Sequence, residues 1–248
     1  MNQSSFFVIS LLALLSGMTT IIGVTLAIHF TRSPRAIAFG IGFSTGIMLL
    51  VSFLELLPAA ISASNTEQAF FALLSGACFI AVLHWLIPHT HLFKEKGQIN
   101  VRLMRSAYLV AFGLILHDIP EGFAMANSFI TSPSLGFFVA LAIALHNIPE
   151  EFAIAVPAAT LHKKQFLYKA AFLSGFAEPA GAALGLYAAY LSESLVPVFL
   201  SFAAGAMIFV SLHELVPMAR RYGYIHIFVL GIIFSVLVHA ILTLILPG

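Results

Sequence analysis

The sequence predicts an all-α integral membrane protein of eight transmembrane helices, with helices 1–3 and 6–8 forming an inverted repeat around a central pair, helices 4 and 5. Three observations carry this. Of the 248 residues 60% are hydrophobic and only 8% charged, at a mean hydropathy of +1.03, outside the range of soluble globular domains. Eight apolar runs are long enough to cross about 30 Å of hydrocarbon. The stretch Gly46 to Ala60 matches Gly205 to Ala219 at eight of fifteen positions, an offset of 205 − 46 = 159 residues.

The runs fall at about 6–30, 36–61, 68–88, 104–129, 135–159, 167–190, 196–218 and 224–246, and the whole of 1–248 reads as one transmembrane domain. Met1 to Ser5 has no basic residue, and the first run is too long for the apolar core of a cleaved signal, so it reads as a retained span. All eleven basic residues lie in alternate loops or at the span ends bordering them: Arg32 and Arg35; Lys94, Lys96, Arg102 and Arg105; Lys163, Lys164 and Lys169; Arg220 and Arg221. Short loops rich in Lys and Arg stay in the cytoplasm, which places both termini outside and the loop at about 89–103 inside. That alternation makes spans 2 and 7, the two carriers of the repeated stretch, run in opposite directions. Inverted repeats of this kind put a binding site near the midplane, where the halves meet. Cys78 is the only cysteine, so neither an intrachain disulfide nor a thiolate cluster is available.

Seven of the ten acidic residues sit inside spans: Glu55, Asp118, Glu121, Glu150, Glu151, Glu178 and Glu214. No Lys or Arg lies deep enough to pair with them. Each carboxylate near the bilayer centre costs at least about 2.5 kcal/mol on the lenient insertion scale, so protons or cations must offset the charge. Imidazole beside carboxylate, without thiolate, suits Zn²⁺, Fe²⁺, Mn²⁺ or Co²⁺ better than alkali ions.

The strongest signal is a motif written twice, His117-Asp118-Ile119-Pro120-Glu121 in span 4 and His146-Asn147-Ile148-Pro149-Glu150 in span 5. Residues four apart stack on one helix face, so each copy offers a His and a Glu together. On the helical wheel Glu121 lies about 40° and Asp118 about 100° from His117, leaving the glutamate between the other two and able to bridge two ions. Glu150 stands likewise between His146 and Asn147. Pro120 and Pro149 deprive the Leu116 and Leu145 carbonyls of their helical donors, which predicts a kink and a freed carbonyl beside each histidine. Two neutral histidines and two glutamates around one dication are together charge-neutral, as a site of low dielectric requires.

Glu178, in span 6, has no acidic counterpart under the 159-residue offset, which lands on Thr19; it is expected as a further ligand on the Asp118 and Asn147 side. Glu55 and Glu214 are expected about a turn from the ends of their helices, as pathway mouths or as solvated ends, with His213 tilting the inner end towards a metal role. His89 and His91, with His84 a turn before and His162 in another inner loop, are candidates for weak binding of an exiting ion. His29, His226 and His239 read as structural or interfacial.

These motifs resemble the ZIP (Zrt-/Irt-like) divalent metal transporters, most nearly the bacterial ZupT type. The resemblance rests on eight spans, the two His-x-x-Pro-Glu signatures, Leu54-Glu55-Leu-Leu-Pro58, Pro88-His89-Thr-His91, Ala177-Glu178 and Glu214-Leu-x-Pro217, and covers essentially the whole chain. It implies a binuclear centre in helices 4 to 6. One ion would be held by His117, Glu121, His146 and Glu150, and a second by Asp118, Asn147 and Glu178 with the bridging glutamates. It also implies uptake of Zn²⁺, and of Fe²⁺, Mn²⁺, Co²⁺ or Cd²⁺, across the bacterial inner membrane by a homodimer. Three positions depart from the family pattern: Asp118 stands where Asn is usual, Glu151 where Gly is usual, and His213 where the ZupT type has Asp. The first two add negative charge around the second position.

The expected activity is inward transport of divalent transition metal. No Gly-x4-Gly-Lys-Ser/Thr loop is present, so no ATP drive within the chain is expected, and neither ATP nor nucleic acid is an expected partner. Two other classes remain open on the residues alone. An intramembrane metallohydrolase would use metal-bound water flanked by Glu, but His-Glu-x-x-His is absent. A proton-coupled carrier of another substrate would use the buried acids as a relay.

Overall fold

The computed structural model describes residues 3–30, 33–86, 99–151 and 164–246; the predicted loop histidines His89 and His91, His162, and the part of span 5 beyond residue 151 lie outside them. The described chain is helical in eight long runs. Helix α1 is Gln3–Phe30. Helix α2 runs through Pro34–Leu50, a π-helical turn Val51–Leu56 and Leu57–Ala63. Then come α3 (Thr66–Leu86), α4 (Ile99–Thr131), α5 (Pro133–Glu150) and α6 (Lys164–Leu191). After a 3-10 turn at Glu193–Leu195, α7 runs through Val196–Val210, a second π-helical turn Ser211–Leu215 and Val216–Tyr222. Helix α8 is Ile225–Ile245. Among the described residues five of these runs, α1, α2, α3, α7 and α8, are long and apolar enough to cross a membrane by length and composition; α4, α5 and α6, which carry the buried acids of the two motifs and Glu178, are not among the five.

The repeat seen in sequence is repeated in local structure. Ser52 Oγ donates to the Met48 carbonyl at 2.7 Å, and the equivalent Ser211 Oγ donates to the Met207 carbonyl at 2.8 Å. A hydroxyl bonded four residues back loosens the turn that follows. In both copies it opens to a π turn: the Leu57 N–H donates to the Ser52 carbonyl, and the Val216 N–H to the Ser211 carbonyl. Pro58 and Pro217, two residues into the next segment, supply no donor of their own. Glu55 and Glu214 thus both lie in π turns well inside their runs, not near the helix ends as expected from sequence; π turns concentrate at functional positions.

Packing exchanges partners between the repeats. Helix α2 of the first packs along α8 of the second, and α7 of the second along α3 of the first. Lipid tails give apolar helices no hydrophobic reason to associate, so close backbone approach at small residues decides which pairs form. A Cβ at Gly42 would collide with the Phe228 carbonyl of α8, and one at Gly76 with the Phe202 carbonyl of α7. The remaining helices, α1, α4, α5 and α6, pack on one another and enclose the motif residues. Helices α1 and α6, repeat mates of each other, join at Gly17 and Gly175, where Thr20 Oγ also donates to the Ala171 carbonyl at 2.9 Å.

Candidate metal centre

Every residue of the two motifs that bears a ligand is buried: His117, Asp118, Glu121, His146, Asn147 and Glu150 are each at most 4% exposed. The histidine of each helix faces the glutamate of the other. His117 Nε2 lies 2.7 Å from Glu150 Oε1, and His146 Nε2 lies 3.1 Å from Glu121 Oε1. The same-helix partners are farther, with His146 Nε2 at 4.0 Å from Glu150 Oε2. Ligand atoms of His117, Glu121 and Glu150 all lie within 4.8 Å of one another. Two ligand atoms about 2.0–2.1 Å from one tetrahedral ion stand roughly 3.3 Å apart, so these separations need only small adjustment around Zn²⁺.

The tautomer of His146 sharpens the chemistry. Its Nδ1–H donates to the Ala142 carbonyl at 3.0 Å, an acceptor that cannot donate in return. In the neutral ring Nε2 then presents a lone pair towards a carboxylate oxygen, an arrangement that needs a shared proton or a cation between them. A backbone carbonyl holding the far nitrogen is also how metal-ligating imidazoles are oriented. Helix α4 continues through Pro120, whereas α5 ends at Glu150, one residue past Pro149. Ser44 Oγ of α2 donates to the His146 carbonyl at 2.8 Å, tying the ligand-bearing turn to the exchanged pair of helices.

A second group adjoins the first. Asn147 Nδ2 donates to Glu178 Oε1 at 2.5 Å, which joins α5 to α6. Ser174, one turn before Glu178, donates to Asp118 Oδ2. Asp118 Oδ1 stands 3.8 Å from His117 Nε2, placing this carboxylate at the border of the two groups. Among the described residues, buried oxygens of Glu121, Asn147 and Glu178 have no hydrogen-bond partner, nor has His117 Nδ1. Buried acceptors left over in this way are what a cation would satisfy. Glu151 is 1% exposed, and its Oε2 likewise has no partner among the described residues.

The remaining candidates lie apart. Glu55 Oε1 is 3.1 Å from His239 Nε2, and the His239 ring packs edge-on to Phe138 at 5.2 Å. Glu214 pairs with His84 and stands 3.6 Å from where a Cβ on Gly113 of α4 would be, one turn before His117. His213 is exposed and stacks on Phe209 at 4.8 Å, while His84 is the histidine that pairs with the Glu214 carboxylate. The sequence motifs do not point to Ser44 or Ser174, and His239, expected as structural or interfacial, lies against Glu55. Ser174 was within reach, because it stands four residues before Glu178 on the same helix face. The Glu55 contact of His239 depends on the exchange of helices between repeats and has no signal along the chain.

Residues 88–245 match the family model described as ZIP Zinc transporter. A zinc transporter ZupT of Chlorobium limicola is 38% identical over 98% of this chain and 100% of its own length. Proteins of the same name from Corynebacterium aurimucosum and Streptococcus mutans are 36% and 35% identical, over 93% and 95% of this chain and 94% and 96% of their own.

Proposed function

We propose, since this chain belongs to the ZIP zinc transporter family, that it carries Zn²⁺ inward through the buried centre between α4, α5 and α6. It is a divalent-metal transporter and not an enzyme. The observation that carries the zinc assignment is the crossed pair of His–Glu contacts, His117 to Glu150 and His146 to Glu121, which supplies two imidazoles and two carboxylates at zinc-ligand spacing. His117, Glu121, His146 and Glu150 hold one ion. Asp118, Asn147 and Glu178, with the glutamates between, hold the second. Fe²⁺, Mn²⁺, Co²⁺ and Cd²⁺ are further cargo on the same reading, because imidazole with carboxylate does not select zinc by donor type alone.

The chain works in the bacterial inner membrane with both termini outside, as its basic loops favour, and as a homodimer, which is carried over from the family likeness. The Glu55·His239 and Glu214·His84 pairs lie at the two mouths of the route. They are partly solvated, with side chains 9–18% exposed, so they pass an ion on without holding it tightly.

Two measurements test this. Purified protein dialysed against zinc at neutral pH is expected to retain up to two ions per chain by elemental analysis, and proteoliposomes to accumulate zinc without ATP. Zinc uptake absent from correctly oriented vesicles would overturn the assignment. Glu55→Gln and Glu214→Gln are expected to raise the KM for zinc several-fold and leave kcat within about two-fold, since a partly solvated carboxylate contributes mainly by drawing the ion in. Abolished transport in either variant would instead place that glutamate in the holding site.

A further inference from the structure

Ser174 is outside the ligand set described so far, yet its hydroxyl does not behave as most others in these helices do. Helical hydroxyls commonly bond back to a carbonyl three or four residues earlier. Thr45, Ser52, Ser75, Ser211 and Ser235 all do so here. Ser174, 1% exposed and well inside α6, instead donates across to Asp118 Oδ2 on α4. A hydroxyl in this place orients the carboxylate without cancelling its charge, as an Arg or Lys would, so the acid stays open to a cation.

The surroundings of Ser174 hold it in place. Gly175 and Gly17 bring the α6 and α1 backbones together at the next residue, where a Cβ on Gly175 would stand 2.5 Å from the Gly17 carbonyl oxygen. About one turn earlier, Thr20 Oγ of α1 donates to the Ala171 carbonyl at 2.9 Å. The depth and rotation of α6 are thereby set where it presents Ser174 and, four residues on along the same face, Glu178. With Oδ2 held by the hydroxyl, Oδ1 is the Asp118 oxygen left for an ion, and it stands 3.8 Å from His117 Nε2.

We propose that Ser174 is a positioning residue for the transported ion: by pinning Asp118 Oδ2 it fixes the rotation of that carboxylate and leaves Oδ1 at the border of the two ion positions. The proposal rests on the two-ion reading above. Ser174 itself touches no ion and acts through Asp118 alone. Without the hydroxyl, the carboxylate is free to turn about its Cβ–Cγ bond, a torsion whose preference is broad in Asp. An arriving ion must then order its own ligand. Partners that orient a ligand in this way contribute about 10–100-fold in metal affinity.

The test is a double-mutant cycle on full-length purified protein, for wild type, Ser174→Ala, Asp118→Ala and the double variant. Zinc affinity is read by competition with a chromophoric chelator, and zinc per chain by elemental analysis; Asp118→Ala marks the second position by the ion it weakens. Ser174→Ala is expected to weaken zinc at the second position about ten-fold and to leave the first within about two-fold. Added to Asp118→Ala it is expected to cost nothing further at either position, because its route of action is already gone. Second-position affinity within about two-fold of wild type in Ser174→Ala would overturn the proposal, on the same scale of effect. So would a loss shared equally by both positions, or a further loss in the double variant, since either would mean that Ser174 supports the packing of α6 and not Asp118. Wild type that retains fewer than two zinc ions would instead sink the two-ion reading, and the inference with it.

Discussion

His146→Ala is expected to lower zinc uptake more than 100-fold while the protein still inserts and elutes as wild type, and Glu150→Ala to do the same. Loss of even an outer partner of a ligand costs 10–100-fold in metal affinity, and these are the proposed ligands themselves. The size of the effect follows from the crossing of the pairs. Removing His146 leaves Glu121 Oε1 without its neighbour at 3.1 Å, and removing Glu150 leaves His117 Nε2 without its neighbour at 2.7 Å. Each variant therefore disables a contact between α4 and α5, not a pair on one helix. The fold survives because neither side chain holds the helices together: α4 and α5 also meet α6, α1 and α2 through apolar and small residues. Elemental analysis of the purified variants should show bound zinc falling by about one ion per chain. Uptake near the wild-type rate in both variants would refute the centre.

Much of this was legible in the chain because it depends on one-dimensional quantities. Apolar length, the alternation of basic loops and the twice-written His-x-x-Pro-Glu need no knowledge of contacts, and they put both motifs inside apolar runs. Even the repeated π turn has its cause in sequence, in Ser52 and Ser211 with Pro58 and Pro217 behind them, although Glu55 and Glu214 are not near helix ends. What it missed is which helices meet. Periodicity pairs His117 with Glu121 and His146 with Glu150, four apart on one face, whereas the shorter contacts run across the helices. Likewise nothing along the chain says that α2 leaves its own repeat to lie along α8. That choice is made by shape, where Gly42 admits the Phe228 carbonyl, and it is what carries His239 to Glu55.

Shape governs the centre as well, which leads to the second large effect: Gly122→Val is expected to cut zinc uptake by at least ten-fold and to destabilise the protein by about 2–3 kcal/mol or more, the upper part of the range for overpacking. Helices α4 and α6 cross backbone to backbone beside the ligands. A Cβ at Gly122 would run into the Glu178 carbonyl and come within 2.9 Å of the Ala182 nitrogen, and a Cβ at Gly181 would run into the Ile119 carbonyl. Neither obstacle is a flexible side chain, so the helices themselves must separate. The Ser174 bond to Asp118 and the Asn147 bond to Glu178, both spanning from α6 to its neighbours, would stretch with them. A displacement of about 1 Å is enough to spoil a preorganised site, so the second position should be lost before the first. Gly113→Ala is the control on the same helix, since among the described residues its added methyl meets nothing nearer than 3.6 Å. The checks are thermal denaturation in detergent, zinc per chain and zinc flux for both variants. Wild-type stability and flux in Gly122→Val would show that α4 and α6 do not make this crossing in the working protein. Loss of stability with two ions still bound would show that the crossing supports the fold and not the second position.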